Sequence, residues 1–97
     1  MGQLTSKQRA QLRGLANTLQ PIFQIGKEGV SKNMTDGIDR ALEKRELLKV
    51  TILENADVDV RRTAERIAAA TRAELVQCIG RRFVLYRESK ERKRIEL

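Results

Sequence analysis

Histidine and tryptophan are absent from this 97-residue chain, and cysteine occurs once. Without imidazole, the commonest general acid–base group and a principal zinc ligand are both missing. Cys78 alone can close no internal disulfide, so a reducing cytoplasm is the expected compartment. No serine, lysine or cysteine has an evident activating partner, which argues against an enzyme and leaves no catalytic residue to name. Neither Gly-x-Gly-x-x-Gly nor a Gly-Lys-Ser/Thr ending is present, so no nucleotide, cofactor, metal or small-molecule substrate is expected. Aromatic residues are also scarce. Phe23, Phe83 and Tyr86 are the full set, and their places in β-rich runs suit a core better than an exposed stacking platform. No run approaches the ~20 apolar residues of a membrane span. The opening MGQLTSKQRAQLRG lacks the apolar centre of a secretory signal, so neither a membrane nor an exported protein is expected. One proline and six glycines leave little room for a disordered or collagen-like chain.

What is plentiful is positive charge. Twenty Lys and Arg oppose thirteen Asp and Glu, for a net charge of +7, and the surplus is uneven. Residues 1–32 and 81–97 each carry +4, whereas residues 33–80 carry −1. If the two ends meet in the fold they make one positive surface, suited to a polyanion. The length fits one domain with one modest core, here taken as residues 1–87 followed by a charged C-terminal tail, 88–97.

Local patterns divide the chain into seven elements. Thr5 as N-cap, with Gln8 three residues on, predicts a capping box and a first helix carrying Leu12, Leu15, Ala16 and Leu19 on one face. It ends before Pro21. Ile22–Ile25 reads as a short strand. Ser31 caps a second helix with Met34, Ile38, Ala41 and Leu42 at helical spacing, and Gly37 weakens that helix slightly. Alternation from Leu47 to Leu53 predicts a second strand. A third helix over 58–71, capped by Asp57 or Asp59, buries Val60, Ala64, Ile67 and Ala68. Leu75–Ile79 and Arg82–Tyr86 form a hairpin about Gly80-Arg81, and Cys78 is expected to be buried there. The fold class is α/β: a compact mixed four-stranded sheet with three helices in the order α-β-α-β-α-β-β. The first three strands should be largely parallel, with the hairpin adding an antiparallel fourth.

The informative constellation is strand, Gly26-Lys27-Glu28-Gly29, helix. Two glycines let a backbone turn sharply and approach a phosphate, and the amides and dipole of the following helix favour an anion at the same place. KH domains clamp a nucleic-acid backbone with a loop of this pattern. Lys27 at the tip and Lys32 in the helix add charge, while Glu28 opposes it. Lys7, Arg9 and Arg13 on the first helix and Arg81 and Arg82 at the hairpin are candidates to surround the loop. Arg81, Arg82, Arg87, Lys90, Arg92, Lys93 and Arg94 crowd into fourteen positions, although such a run is often only a solvated end.

The stretches LTSKQRAQLRGLANTLQPIFQIGKEGVS, ALEKRELLKV and VQCIGRRFVLYRESKERK together resemble the CRM domain family (chloroplast RNA splicing and ribosome maturation), in particular its stand-alone bacterial YhbY-like members. The likeness implies an RNA-binding fold similar to the C-terminal domain of translation initiation factor 3. It also implies a role in ribosome biogenesis, as a cytoplasmic large-subunit assembly factor bound to ribosomal RNA or a precursor particle. By position, Gly26, Lys27 and Gly29 correspond to the family's RNA-binding loop. Asn17 stands where many relatives have a histidine, and Glu28 is an acid where the family's loop is often neutral or basic. A monomer is expected. The alternative reading is a protein-interaction module that docks on an acidic partner.

Overall fold

The computed structural model describes residues 4–97, so residues 1–3 of the expected 1–87 domain lie outside the described residues. Seven elements follow in the order α1 (Ser6–Ala16), β1 (Phe23–Ile25), α2 (Lys32–Arg45), β2 (Leu47–Ile52), α3 (Val60–Thr71), β3 (Glu74–Ile79) and β4 (Arg82–Tyr86). Each helix starts where its cap residue dictates. The Thr5 hydroxyl accepts from the Gln8 amide while the Gln8 side chain accepts from the Thr5 amide, closing the capping box. Ser31 and Asp59 accept from the Met34 and Arg62 amides in the same way. Asp59, rather than Asp57, is therefore the α3 cap.

The four strands lie in the order β1-β2-β4-β3. β1 and β2 are parallel, and β4 runs antiparallel to both of its neighbours. The three strands expected to be parallel do share a direction, but β4 is inserted between β2 and β3 instead of being added outside them. Its composition explains why. Phe83 and Leu85 enter the main core, whereas Val84 and Tyr86 enter a second cluster on the other side of the sheet. A strand apolar on both faces gains most from a central position.

α2 and α3 cover one face of the sheet, where Ile38, Leu42, Ala64, Ile67 and Ala68 pack on Ile25, Leu48, Val50, Ile52, Phe83 and Leu85. α1 covers the other, with Leu12 and Ala16 against Leu47, Val76, Val84 and Tyr86. Fully burying each large side chain contributes about 1.5–3 kcal/mol. Leu15, expected on the buried face of α1, is 45% exposed. Gly37 has a packing reason: a Cβ there would lie 3.4 Å from the Phe23 ring. Cys78 is half-buried rather than buried, because β3 is an edge strand and only Val76 along it is fully covered.

The tail beyond β4 has no regular secondary structure, yet it is anchored. Ser89 is buried, and Ile95 packs against the α1-side cluster. Arg87 donates to the Asp39 carboxylate and carbonyl and to the Thr71 carbonyl, joining the end of β4 to α2 and α3. No helix among the described residues is long and apolar enough to cross a membrane.

Candidate nucleic-acid interface

Parallel strands set the location of the Gly-x-x-Gly loop. β1 and β2 both finish at one end of the sheet, with Ile25 opposite Ile52. α2 and α3 therefore begin there, and the β3–β4 turn arrives at the same end because Thr51 pairs with Arg82. The loop, two helix N-termini and the hairpin turn thus share one end of the molecule.

Within the loop the Gly29 amide donates to the Gly26 carbonyl at 2.9 Å, leaving Lys27 and Glu28 exposed at the tip. Gly29 has φ +77°, a left-handed conformation that costs a residue with a Cβ about 1–2 kcal/mol. Gly26 differs. A Cβ there would meet only Leu53 Cδ1, at an ordinary 3.7 Å. The turn therefore requires glycine at its second glycine position and merely accepts it at the first. Beyond the loop, the first turn of α2 has amides without intrahelical acceptors, of which the Ser31 side chain satisfies that of Met34. Lys32 reaches Asp36 at 3.2 Å, but its side chain is 88% exposed. An ion pair that open to water is weak and readily exchanged for another anion.

The basic residues expected around the loop separate into three groups. Lys27, Lys32 and Arg82 are exposed at the loop end. Arg81 is at the same end, but its guanidinium is committed: Nε donates to the Ile52 carbonyl at 3.0 Å, and Nη2 donates to those of Leu53 and Ala56 at 2.8 and 3.0 Å. Since the Leu53 amide in turn donates to the Ile25 carbonyl at 2.8 Å, Arg81 fixes the hairpin turn beside the loop. It is a positioning residue.

Lys7, Arg9 and Arg13 form the third group. They belong to α1, on the opposite face of the sheet from α2. Arg9 is committed as well, donating to the carbonyls of Leu75 at 2.6 Å and Val76 at 3.3 Å, where a register shift interrupts the β3–β4 pairing. A β-bulge leaves backbone groups outside the ladder, and Arg9 supplies donors to them. Lys7 is exposed and Arg13 half-exposed. The charge split therefore overstates a single positive face, because two of its arginines serve the fold and α1 lies behind the sheet.

Sequence reasoning passes over two apolar side chains at the loop end. Ile79, at the hairpin, is 65% exposed, and Leu53, beside Gly26, is 38% exposed. Ile79 could have been suspected as the last apolar residue before the turn. Leu53 could have been suspected too, since it falls in phase with Lys49 and Thr51 rather than with the buried Leu48, Val50 and Ile52.

The CRS1 / YhbY (CRM) domain model matches residues 4–87. Relatives include the Bacillus subtilis protein named "Probable RNA-binding protein YqeI", 52% identical over 94 residues that span 97% of this chain and 98% of that protein. A Haemophilus influenzae protein named "RNA-binding protein" is 37% identical over 94 residues, covering 96% of this chain and 94% of its own length. Among solved structures, a Staphylococcus aureus protein described as a candidate RNA-binding protein superposes with a TM-score of 0.81 at 55% identity, over 98% of this chain and 99% of its own.

Proposed function

The chain belongs to the CRS1 / YhbY (CRM) domain family, and from that premise we propose that it binds RNA, gripping the backbone at the end of the sheet that carries the Gly26–Gly29 turn. The observation that carries this reading is the junction Arg81 makes. One guanidinium holds the hairpin turn against the end of β2 and the turn after it, and the Leu53 amide ties that turn to Ile25 just before the loop, so Lys27, Lys32 and Arg82 are carried on one bonded base. Amides at the start of α2 add donors for phosphate oxygens. With the three aromatic residues at least partly packed into the core, recognition rests on phosphates and 2′-hydroxyls more than on base stacking. Names of the relatives support RNA as the partner. The resemblance to YhbY-like proteins supports ribosomal RNA of a large-subunit precursor as the particular RNA, and the cytoplasm as the place. No catalytic step belongs to this reading.

The test is a titration with a ribosomal RNA fragment at several salt concentrations. Lys27→Ala should weaken binding and make the slope of log affinity against log salt shallower by about 0.7–0.9 for the lost contact. Glu28→Lys should tighten binding, because it replaces repulsion by attraction at the loop tip. Folded variants that both bind like the parent would reduce the loop to a turn. Binding to an acidic polypeptide that RNA cannot displace would favour the protein-docking alternative.

A further inference from the structure

At the opposite end of the sheet, one residue occupies an unusual position. Glu46 is the whole connection between α2 and β2, has φ +66°, and is 0% exposed. A non-glycine residue held in that conformation and a carboxylate taken out of water are both costly, and such features persist only where the surroundings determine them. Here the surroundings are the tail. Oε2 accepts from the Ser89 amide at 2.7 Å, and Oε1 accepts from the amides of Arg94 and Ile95, each at 2.7 Å. Glu43, one turn earlier, accepts from the Ser89 hydroxyl at 2.6 Å and from the Lys90 amide. Gln11 of α1 donates to the Glu96 carbonyl at 2.6 Å. An irregular, highly charged segment is thus strapped from α2 to α1, largely through its backbone, and its charged side chains are left outward.

Among those side chains, Lys90, Arg92, Lys93 and Arg94 are cations. Arg92, Lys93 and Arg94 are exposed, as are Lys44 and Arg45 in the last turn of α2. None of the five makes an ion pair among the described residues. Glu88, Glu91 and Glu96 are the exposed acids of this stretch, while the oxygens of Glu43 and Glu46 are engaged by tail donors. Lys44, Arg45 and Arg94 also border a groove whose apolar lining comes from Leu15, Leu19, Leu47 and Ile95.

We propose that the strapped tail, with Lys44 and Arg45, is a second contact surface for an RNA backbone, so that the domain grips RNA at two places. The 14-residue α2 separates the two by about 20 Å, at 1.5 Å per residue. A single RNA long enough to reach both gains avidity that neither surface supplies alone. This inference rests on the proposal that the loop end binds RNA.

The experiment compares the parent with three variants, using one ribosomal RNA fragment and a salt series. Arg92→Gln/Lys93→Gln/Arg94→Gln changes only exposed side chains and should make the salt slope shallower by about 2–3 in total. Glu46→Gln separates a built surface from diffuse charge. It adds one unit of positive charge, which alone would tighten binding, whereas releasing the strap should weaken it. Should that variant fail to fold, charge-neutral Ser89→Ala takes its place, since the Ser89 oxygen accepts from the Arg92 amide at 2.9 Å; weaker RNA binding is again expected. If Lys27→Ala weakens binding while the triple variant and the strap variant bind like the parent, the loop reading stands and the second surface is overturned. A strap variant that binds more tightly overturns it too. If the parent binds no RNA, the underlying proposal falls. A triple variant that keeps its RNA affinity but loses binding to poly-glutamate would show the tail to be a protein-docking surface, and would overturn the RNA assignment.

Discussion

The two ends of the sheet solve the same problem with opposite charges. At the loop end a cation organises the chain, with Arg81 donating to three carbonyls contributed by the close of β2 and the turn after it. At the tail end an anion does so, with Glu46 accepting from three amides of an irregular segment. In each case a charged side chain pairs with backbone groups that no strand or helix satisfies, and buried groups of that kind need partners. A formal charge count therefore misjudges this protein's surface. Arg9, Arg81 and Arg87 are scaffold cations, and Glu46 is a scaffold anion that lets the tail display basic side chains.

The largest expected effect tests the cationic scaffold. Hydrogen bonds to charged groups are worth about 1.5–3 kcal/mol each when partly buried, and they do not add fully. Arg81→Ala should destabilise the domain by about 2–3 kcal/mol, whereas its exposed neighbour Arg82→Ala should stay within about 0.5 kcal/mol. Urea unfolding of the two variants measures the contrast. Equal midpoints would mean that Arg81 is a surface residue and that the loop end needs no clasp.

Next in size is the anionic scaffold. Glu46→Gln turns an amide donor toward backbone donors and should cost about 2 kcal/mol, with loss of hydrogen-exchange protection at Ser89, Arg94 and Ile95 ahead of the sheet. Unchanged protection at those amides would refute the strap. Acid should act in the same direction. Burial by itself would raise the Glu46 pKa, but donation from Ser89, Arg94 and Ile95 together with the nearby Lys93 charge outweighs it, so the group is held below its ordinary 4.5. Glu43 is also lowered, chiefly by the Ser89 hydroxyl. A depressed carboxylate pKa contributes stability that is present above the ordinary value and is lost as pH falls through the folded one. Amide shifts of Ser89, Arg94 and Ile95 should therefore titrate together with a midpoint below 4.5. Ile52 and Leu53 should not follow, because their amides donate to the backbone carbonyls of Arg81 and Ile25 rather than to a carboxylate. A tail midpoint above 4.5 would contradict the assignment.

These scaffolds also mark where the sequence stops being readable. Thr5, Ser31 and Asp59 caps, the helix faces and the Gly80 turn are local, and residues a few positions apart announce them. Arg9, Arg81 and Glu46 are opaque in sequence because their partners lie at least 66, 25 and 43 positions away, respectively, in the bonds that join α1 to β3, the hairpin to the end of β2 and the turn after it, and α2 to the tail. The insertion of β4 does carry a signal: Phe83-Val84-Leu85-Tyr86 is apolar at every position, which a strand buried on one face does not need. Cys78 falls short of its expected burial for the complementary reason, since placing β4 inside the sheet leaves β3 at its edge. The tail looks like a solvated run because its anchors are backbone amides, which carry no sequence identity. Ile95, the lone apolar residue among the charges of 88–96, is the one hint.

The smallest effect lies within the loop end itself. A Gly-x-x-Gly pattern suggests two equivalent glycines, but the geometry distinguishes them. Gly29 has φ +77° and open space for 4 Å around the position a Cβ would take, whereas Gly26 shows no positive φ and would place its Cβ 3.7 Å from Leu53 Cδ1. Gly29→Ala is thus opposed by backbone strain alone and should cost about 1 kcal/mol. Gly26→Ala meets an ordinary contact and also restricts the unfolded chain, so its stability should stay within about 0.5 kcal/mol of the parent. Thermal or urea unfolding separates the two. If RNA needs close backbone approach at both positions, Gly26→Ala will still weaken RNA binding while leaving the fold as stable as before, and that split would place the phosphate at the first glycine. If instead Gly26→Ala is silent in both measurements, only the turn at Gly29 is required, and the charged side chains around it must make the contact.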